Sequence, residues 1–309
     1  MAIYRSQYKL PACGTGCFTK VNQNGVQGSY PQNDASWSQE ISLDLDMVSA
    51  ICPNCKILLV EANSTSFADL GAAENEAVAL GATEISNSWG GQSFLGTDLP
   101  DSSYGGYFNH PGIAITASSG DGGYTGYPEY PASSDFVTSV GGTSLSQNAS
   151  DPRGWSETAW SGAGSGCSGY NNQPSWQASL NTGCSLRAVA DVSAIADPNT
   201  GVAVYDSYAY QGFQGWLVFG GTSVASPIIA SIYALAGNAA TATSTANNNP
   251  GYGSYPYLHR SYWSGSVPGT LNDVTSGSNG SCSPAVQCGA GVGWDGPTGL
   301  GTPWGIGAF

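Results

Sequence analysis

Trp216-Leu217-Val218-Phe219-Gly220-Gly221-Thr222-Ser223-Val224-Ala225-Ser226-Pro227 runs on into Ile228-Ile229-Ala230-Ser231-Ile232-Tyr233-Ala234-Leu235-Ala236. A short apolar run broken by Gly-Gly reads as a buried strand entering a tight turn, and the Ala-rich segment beyond it reads as a helix. Ser223 then stands at or near a helix N-terminus, where free backbone N–H groups and the positive end of the dipole face anything bound there. A serine so placed is suited to be a nucleophile. Thr222 or Ser223 serving only as the helix cap is the plainer reading, because both residue types are favoured N-caps.

Upstream, strands and helices alternate. Ser36-Trp37-Ser38-Gln39 has the Ser-x-x-Gln form of a capping box, and Ile41, Leu45, Val48 and Ile51 follow at helical spacing up to Cys52-Pro53. Ile57 to Ala62 reads as a strand, Phe67 to Leu80 as a helix stopped by Gly81, and Glu84 to Trp89 as a strand. A helical stretch near Tyr104 to His110 and a strand at Ile113 to Ser118 complete the pattern. Such alternation predicts an α/β parallel sheet with helices on both faces, and sites in these sheets form beyond the carboxyl ends of strands. Ser118-Ser119-Gly120-Asp121-Gly122-Gly123 and the loop at Ser223 both lie there. Residues 1 to 35 read as turn-rich, 124 to 218 as irregular with short strands at Val137 to Val140 and Gly201 to Tyr205, and 238 to 256 as a surface loop. Without an internal repeat or clean linker, the 309 residues read as one domain.

Hydrophobic residues make up 40% of the chain, enough for a substantial core, and charged ones only 9%. Twenty-one Asp and Glu stand against 7 Lys and Arg, a net charge of -14 that repels nucleic-acid phosphates and anionic membranes. Carboxylates that take up protons as pH falls reduce that self-repulsion, so acid is tolerable. A membrane span would need about 18 consecutive apolar residues, and no such run occurs. The first residues, Met1-Ala2-Ile3-Tyr4-Arg5-Ser6, lack the apolar stretch of a signal peptide, so a secreted protein would have shed its leader.

Eight cysteines fall in local pairs, Cys13 with Cys17, Cys52 with Cys55, Cys167 with Cys184 and Cys282 with Cys288. The even count in a Gly-, Ser- and Trp-rich chain suggests disulfides formed in an oxidising compartment, although connectivity is not deducible from sequence. A zinc or redox role for Cys52-Pro53-Asn54-Cys55 is the rival. Zinc would need two further ligands, and the only histidines are His110 and His259.

A serine nucleophile needs a base. Neither histidine sits in a catalytic-looking loop, whereas Glu40 and Asp44 are four residues apart on the first predicted helix and share a face. Like charges that close titrate as a coupled pair with a shared proton. A solvated acidic stripe near a helix start is the alternative.

Glu40-x-x-x-Asp44, then Ser118-Ser119-Gly120-Asp121-Gly122, then Gly221-Thr222-Ser223-x-x-x-Pro227 occur in the order found in the sedolisin family of serine-carboxyl peptidases, which the chain resembles from about Tyr4 to Phe309. Pro131-Ala132-Ser133, Val140-Gly141-Gly142-Thr143 and Asp191-Val192-Ser193-Ala194 extend the likeness. Gly220 stands where the family has Ser before Gly-Thr-Ser, and Gly122 where it has a second Ser after the third acid. The resemblance implies a subtilisin-like fold in which Ser223 attacks the peptide carbonyl, Glu40 takes its proton, Asp44 orients Glu40, and Asp121 joins the Ser223 N–H in the oxyanion hole. Asp121 donates to an oxyanion only when protonated, and Glu40 accepts only when ionised, so activity is expected as a bell in acid.

The resemblance also implies one structural calcium site in C-terminal loops at about 271–301. There Asp273 and Asp295 would give carboxylates, and Val274, Gly291 and Gly293 carbonyl oxygens. Taken without the family, Asp in Gly-rich loops is ordinary turn chemistry. Family members carry a propeptide and a first strand of the form Gly-x-x-Val-Ala-Ile-Val-Asp before the segment that here begins at Tyr4, so the chain reads as N-terminally truncated. A missing central strand would leave unpaired edges and a gap.

The expectation is therefore a secreted, monomeric, acid-acting endopeptidase spanning residues 1–309. Its partners are protein or peptide substrates, and its own propeptide or an N-terminal fragment, with no nucleic acid or membrane. A non-catalytic secreted binding protein of the same fold, inactive through loss of the first strand, is the alternative. A glycan-directed protein, suggested by 9 Trp and 17 Tyr, fits less well because Glu40 and Asp44 are too local to straddle a glycosidic bond. Ser86-Asn87-Ser88-Trp89-Gly90 resembles the family's substrate-side strand and suggests backbone pairing with an extended peptide.

Overall fold

The computed structural model describes residues 1–237, 254–262, 267 and 269–309. In chain order the elements are α1 (Ala2–Gln7), β1 (Phe18–Asn22), α2 (Ala35–Ile51), β2 (Ile57–Glu61), α3 (Phe67–Ala79), β3 (Glu84–Asn87), α4 (Asp101–Tyr104), β4 (Ala114–Ser118) and β5 (Tyr124–Gly126). Then come β6 (Thr138–Gln147), β7 (Trp155–Ala159), β8 (Ser165–Cys167), β9 (Ala188–Val189), β10 (Val192–Ile195), β11 (Val202–Tyr210) and β12 (Phe213–Phe219). The chain closes with α5 (Thr222–Ala236), α6 (Ser254–His259), β13 (Leu271–Asn272) and β14 (Thr302–Pro303).

The central sheet runs β10-β6-β4-β3, every pair parallel, with β7 added antiparallel along the far end of β6. Both faces are covered, as a parallel sheet requires. On β4 the alternation is explicit. Ala114 joins a core shared with Ile229 and Ile232 of α5, whereas Ile115 and Ala117 pack with Phe108, Tyr130 and Val137 on the opposite side. Thr116 is tied to α5 by its hydroxyl, 2.9 Å from that of Ser226. β1 and β2 form a separate parallel pair, so β3 ends one sheet and β2 borders another, with a cleft between them.

All four cysteine pairs form disulfides between sequence neighbours, Cys13–Cys17, Cys52–Cys55, Cys167–Cys184 and Cys282–Cys288, and no cysteine is free for a metal. No helix among the described residues is long and apolar enough to cross a membrane.

Several local expectations need correction. The cap of α2 is Asp34, which accepts from the N–H of Ser36 at 2.9 Å and of Trp37 at 3.1 Å, so Ser36-x-x-Gln39 is not the capping box. Residues 1 to 35 hold a helix and a strand as well as turns; Arg5 anchors α1 through the hydroxyl of Ser49 and the carbonyls of Pro11 and Pro53. The run Trp216 to Phe219 is not a buried strand. It belongs to an antiparallel hairpin with β11, and Trp216 and Val218 are 43% and 66% exposed. The helical stretch near Tyr104 shortens to α4 and one 3-10 turn, Gly105–Tyr107. Of the loop expected at 238–256, residues 238–253 lie outside the described residues, and α6 begins at Ser254.

Candidate functional site

β3 and β4 end side by side, and the chain beyond each supplies a site residue, as expected for a parallel sheet. Ser88 follows β3, and Ser119-Gly120-Asp121 follows β4. From across the sheet, α5 points its N-terminus at the same place. Its cap is Gly221, whose φ of 101° a side chain disfavours, so neither Thr222 nor Ser223 serves as the cap; they are the first two helical residues. The bare position is needed twice over, because a Cβ there would sit 2.7 Å from Asp121 Oδ2.

Asp121 is held by Thr222, whose N–H donates to Oδ1 at 2.8 Å and whose hydroxyl lies 2.9 Å from the same oxygen. The Gly120 N–H donates to that hydroxyl at 3.1 Å. With Thr222 N–H engaged, the Ser223 N–H belongs to the first-turn donors that have no acceptor within the helix. Oδ2 of Asp121, the oxygen left free by Thr222, is the one nearer Gly221.

Pro227 sits inside α5. Lacking an N–H, it leaves the carbonyl of Ser223, four residues earlier, without its helical donor. Ser88 Oγ fills that role at 3.1 Å, and it lies 2.6 Å from Asp44 Oδ1. The Ser226 hydroxyl, 3.1 Å from that of Ser86, fixes the same turn of α5 against β3.

Glu40 and Asp44 lie one turn apart on α2, which packs along α5. Burial pushes Glu40 up from the ordinary 4.5 to about 7, against an opposing hydrogen bond from the Ser223 side chain, and the charge of Asp121 pushes the same way. Asp44 is raised well above the usual carboxylate range by burial and then by the charge of Glu40, with the Ser88 bond opposing. Among the described residues, three carboxyls and one serine thus converge without a basic side chain. His110 is engaged elsewhere, its Nε2 lying 3.0 Å from Asn75 Oδ1 and 3.0 Å from the Tyr107 carbonyl.

Two residues join the cluster that sequence reasoning did not assign to it. Ser88 appeared only within the substrate-side stretch; of that stretch Ser86 and Asn87 lie within β3, leaving 88–90 beyond the sheet. Glu129 packs over Gly120, and burial together with the charge of Asp121 raises its carboxyl.

The C-terminal loops bring Asp273 and Asp295 near each other. The N–H of Gly293 donates to Asp273 at 3.0 Å, and that of Gly291 to Asp295 Oδ2 at 3.0 Å. Asp295 Oδ1 also accepts from the N–H and hydroxyl of Thr298. Burial raises Asp295 to about 7, with the charge of Asp273 adding to it. Gly291 and Gly293 therefore contact these carboxyls through their N–H groups, and no cluster of three or more acidic, His or Cys side chains forms among the described residues. Two neighbouring carboxyls that form no ion pair among the described residues suit a hard, oxygen-seeking cation such as calcium.

No protein-family model matches the chain. It is 33% identical to sedolisin of Pseudomonas sp. (strain 101) over 62% of its length, and 30% identical to kumamolisin of Bacillus sp. (strain MN-32) over 86%. It spans 33% and 49% of those relatives, half of their length or less. The solved structure of Pseudomonas sedolisin, a serine-carboxyl proteinase complexed with two molecules of pseudo-iodotyrostatin, superposes with a TM-score of 0.71 at 25% identity, covering 97% of this chain and 84% of that one. Together with the α/β, subtilisin-like architecture, these similarities show that the chain belongs to the sedolisin family.

Proposed function

We propose that this protein is a secreted serine-carboxyl endopeptidase that cleaves proteins or peptides in acid. The observation that carries the reading is the convergence of Ser223 with Glu40, Asp44 and Asp121, without a basic side chain, at the N-terminus of α5. In the reaction Ser223 Oγ attacks the scissile carbonyl carbon while Glu40 takes its proton. The resulting oxyanion accepts from the Ser223 N–H and from a protonated Asp121. Collapse breaks the C–N bond, Glu40 returns the proton to the leaving amine, and an ester on Ser223 remains. Water, deprotonated by Glu40, then attacks the ester carbon; the bond to Ser223 Oγ breaks as Glu40 returns the proton to that oxygen, and the acid is released. Asp44 and Ser88 position Glu40 and the Ser223 carbonyl without touching substrate.

Burial favours the protonated forms of Glu40 and Asp44, opposed at Glu40, the member that must ionise to act as base, by the Ser223 hydrogen bond. The proposed chemistry uses the state in which a proton is still held beside an ionised Glu40. That proton-bearing state exists in acid and is lost as pH rises towards and past neutrality. An extended substrate would pair its backbone with residues 88–90. We assign one calcium ion to Asp273 and Asp295 with the carbonyls of Val274, Gly291 and Gly293. Calcium, when bound, would cross-link these loops and offset their charge, and it takes no part in the reaction. Four disulfides and the relatives' kind support an extracellular setting. We read residues 1–309 as one peptidase unit that acts as a monomer.

The test is cleavage of a denatured protein from about pH 2 to pH 8 by this chain and by Ser223→Ala. An acidic optimum that disappears in the variant is the expected outcome. Equal cleavage by both would refute the assignment. No cleavage by a folded chain would favour the second reading, a binding protein of the same fold, for which the cleft between β2 and β3 is the motivating observation.

A further inference from the structure

Glu129 stands beside the cluster and takes no part in the proposed reaction. It is half-buried, and no described residue gives its carboxyl a hydrogen bond or an ion pair. Its backbone is firmly held. Gly91 and Tyr130 exchange both of their N–H···O bonds at 2.9 Å, and the Glu129 carbonyl accepts from the N–H of Ser133 at 3.0 Å. The Tyr130 ring next to it is fully buried against Phe67, Tyr104 and Phe108. A carboxyl without a partner is thus presented from a rigid base.

That carboxyl lies between the two loops that leave β3 and β4. A Cβ added at Gly90 would stand 2.6 Å from Glu129 Oε2, and one added at Gly120 would stand 2.9 Å from its Cδ. Only bare backbone at both positions lets the carboxyl sit there, in the place of the side chains the two loops lack. Residues 88–90 are the stretch along which an extended substrate would pair, and Gly120 precedes Asp121, which would face the oxyanion. A substrate residue that pairs with the first and turns its carbonyl oxygen to the second must send its side chain between the two loops, because side chain and carbonyl carbon share one Cα. Glu129 is the group that side chain meets.

Resting on the peptidase reading for the line the substrate takes, we infer that Glu129 selects peptides with Lys or Arg on the acyl side of the scissile bond, and that it holds their cationic head group between Gly90 and Gly120. An apolar side chain there would cover a carboxyl and leave it unpaired, and an acidic one would meet both Glu129 and Asp121. A cation instead satisfies the free oxygens with charge-assisted hydrogen bonds. It also relieves the carboxyl, which burial and then the charge of Asp121 push up with no basic group opposing them. The chain does not supply that cation itself. Among the described residues Lys20, Arg153 and Arg187 are engaged with Glu61, Glu157 and Asp191.

The probes are blocked hexapeptides, acetyl-Ala-Ala-Thr-X-Ala-Ala-amide with X as Lys, norleucine or Glu, used in mild acid with the full 309-residue chain. Cleavage after X is followed with the unaltered chain, and equilibrium binding with Ser223→Ala, which consumes no peptide. The Lys peptide should exceed the norleucine one by roughly tenfold or more in kcat/KM and in affinity, with Glu last. Glu129→Gln, which keeps the shape and removes the charge, should bring Lys and norleucine within about twofold of each other. Norleucine equal to or above Lys with Glu129 in place would overturn the inference whatever the variant does, and so would a Lys preference that survives in Glu129→Gln. Cleavage without the charge order would leave the peptidase reading standing and remove this one. The charge order in binding, lost in Glu129→Gln and accompanied by no cleavage, would do the reverse. Neither binding nor cleavage would overturn both.

Discussion

The hydroxyl of Ser88 lies 3.1 Å from the carbonyl oxygen of Ser223, the acceptor that Pro227 leaves without a helical donor. The same hydroxyl is 2.6 Å from Asp44, so one side chain connects the start of α5 to the acidic pair on α2. Ser88→Ala leaves a carbonyl and a buried carboxyl short of a partner at a cost of about 1–3 kcal/mol. Turnover should fall by roughly ten- to a hundredfold, which is about 1.4–2.7 kcal/mol of barrier. Because the Ser88 bond opposes the upward shift of Asp44, its loss should also displace the pH-rate profile. Ser88→Thr, which keeps the hydroxyl, should restore most of both. A variant whose profile is unmoved would deny Ser88 this positioning role.

Stability should decline as pH rises, which follows from Glu74. Burial raises its carboxyl from 4.5 to about 8, only partly opposed by Asn87. Between those values the unfolded side chain is ionised while the folded one keeps its proton, so the folded state binds more protons and loses stability with increasing pH. The contribution is complete below about pH 4.5 and gone above about pH 8. Glu40 and Asp135, each raised to about 7, act in the same direction. Thermal melts should therefore show a lower midpoint at pH 8 than at pH 5. Glu74→Gln should flatten that decline without abolishing it, and an unchanged slope would count against the role given to Glu74.

Much of this architecture is readable in the amino-acid order. α2, α3 and α5 carry their apolar residues at helical spacing, and Ile57 to Glu61 and Ala114 to Ser118 are apolar runs of strand length. Glu40 and Asp44 announce themselves by a four-residue interval, and Asp121 and Ser223 by glycines after strands. β12 misleads because its apolar run suggests burial, whereas hairpin pairing with β11 turns alternate residues to solvent. β1 is short, and its partner β2 comes only after a whole intervening helix. The role of Ser88 is illegible for a different reason. It depends on a proline that frees a carbonyl 135 residues away, which no local pattern encodes.

Calcium removal should loosen the C-terminal loops. Asp295 is fully buried, and both it and Asp273 are raised rather than stabilised as anions by the protein alone. A bound divalent cation would reverse that balance and favour the folded state by mass action. Chelator should therefore lower the melting midpoint by several degrees, with restoration by added calcium. Asp295→Asn should melt lower and respond to neither. A wild-type midpoint indifferent to chelator and calcium alike would end the assignment of Asp273 and Asp295 to a metal.

Gly221→Ala should separate folding from catalysis. At φ 101° any side chain costs on the order of 1–2 kcal/mol, and the new Cβ would meet Asp121 Oδ2 at 2.7 Å. Relief comes by moving Asp121, whose other oxygen is fastened to Thr222. The carboxyl that would face the oxyanion is then displaced while the core behind α5 is untouched. The expected result is a modest fall in melting temperature with a loss of turnover of a hundredfold or more, expressed in kcat rather than KM because the lost interaction is made in the transition state. If KM rose while kcat held, Asp121 would belong to the binding of substrate in its ground state, and the oxyanion role would have to pass to another donor.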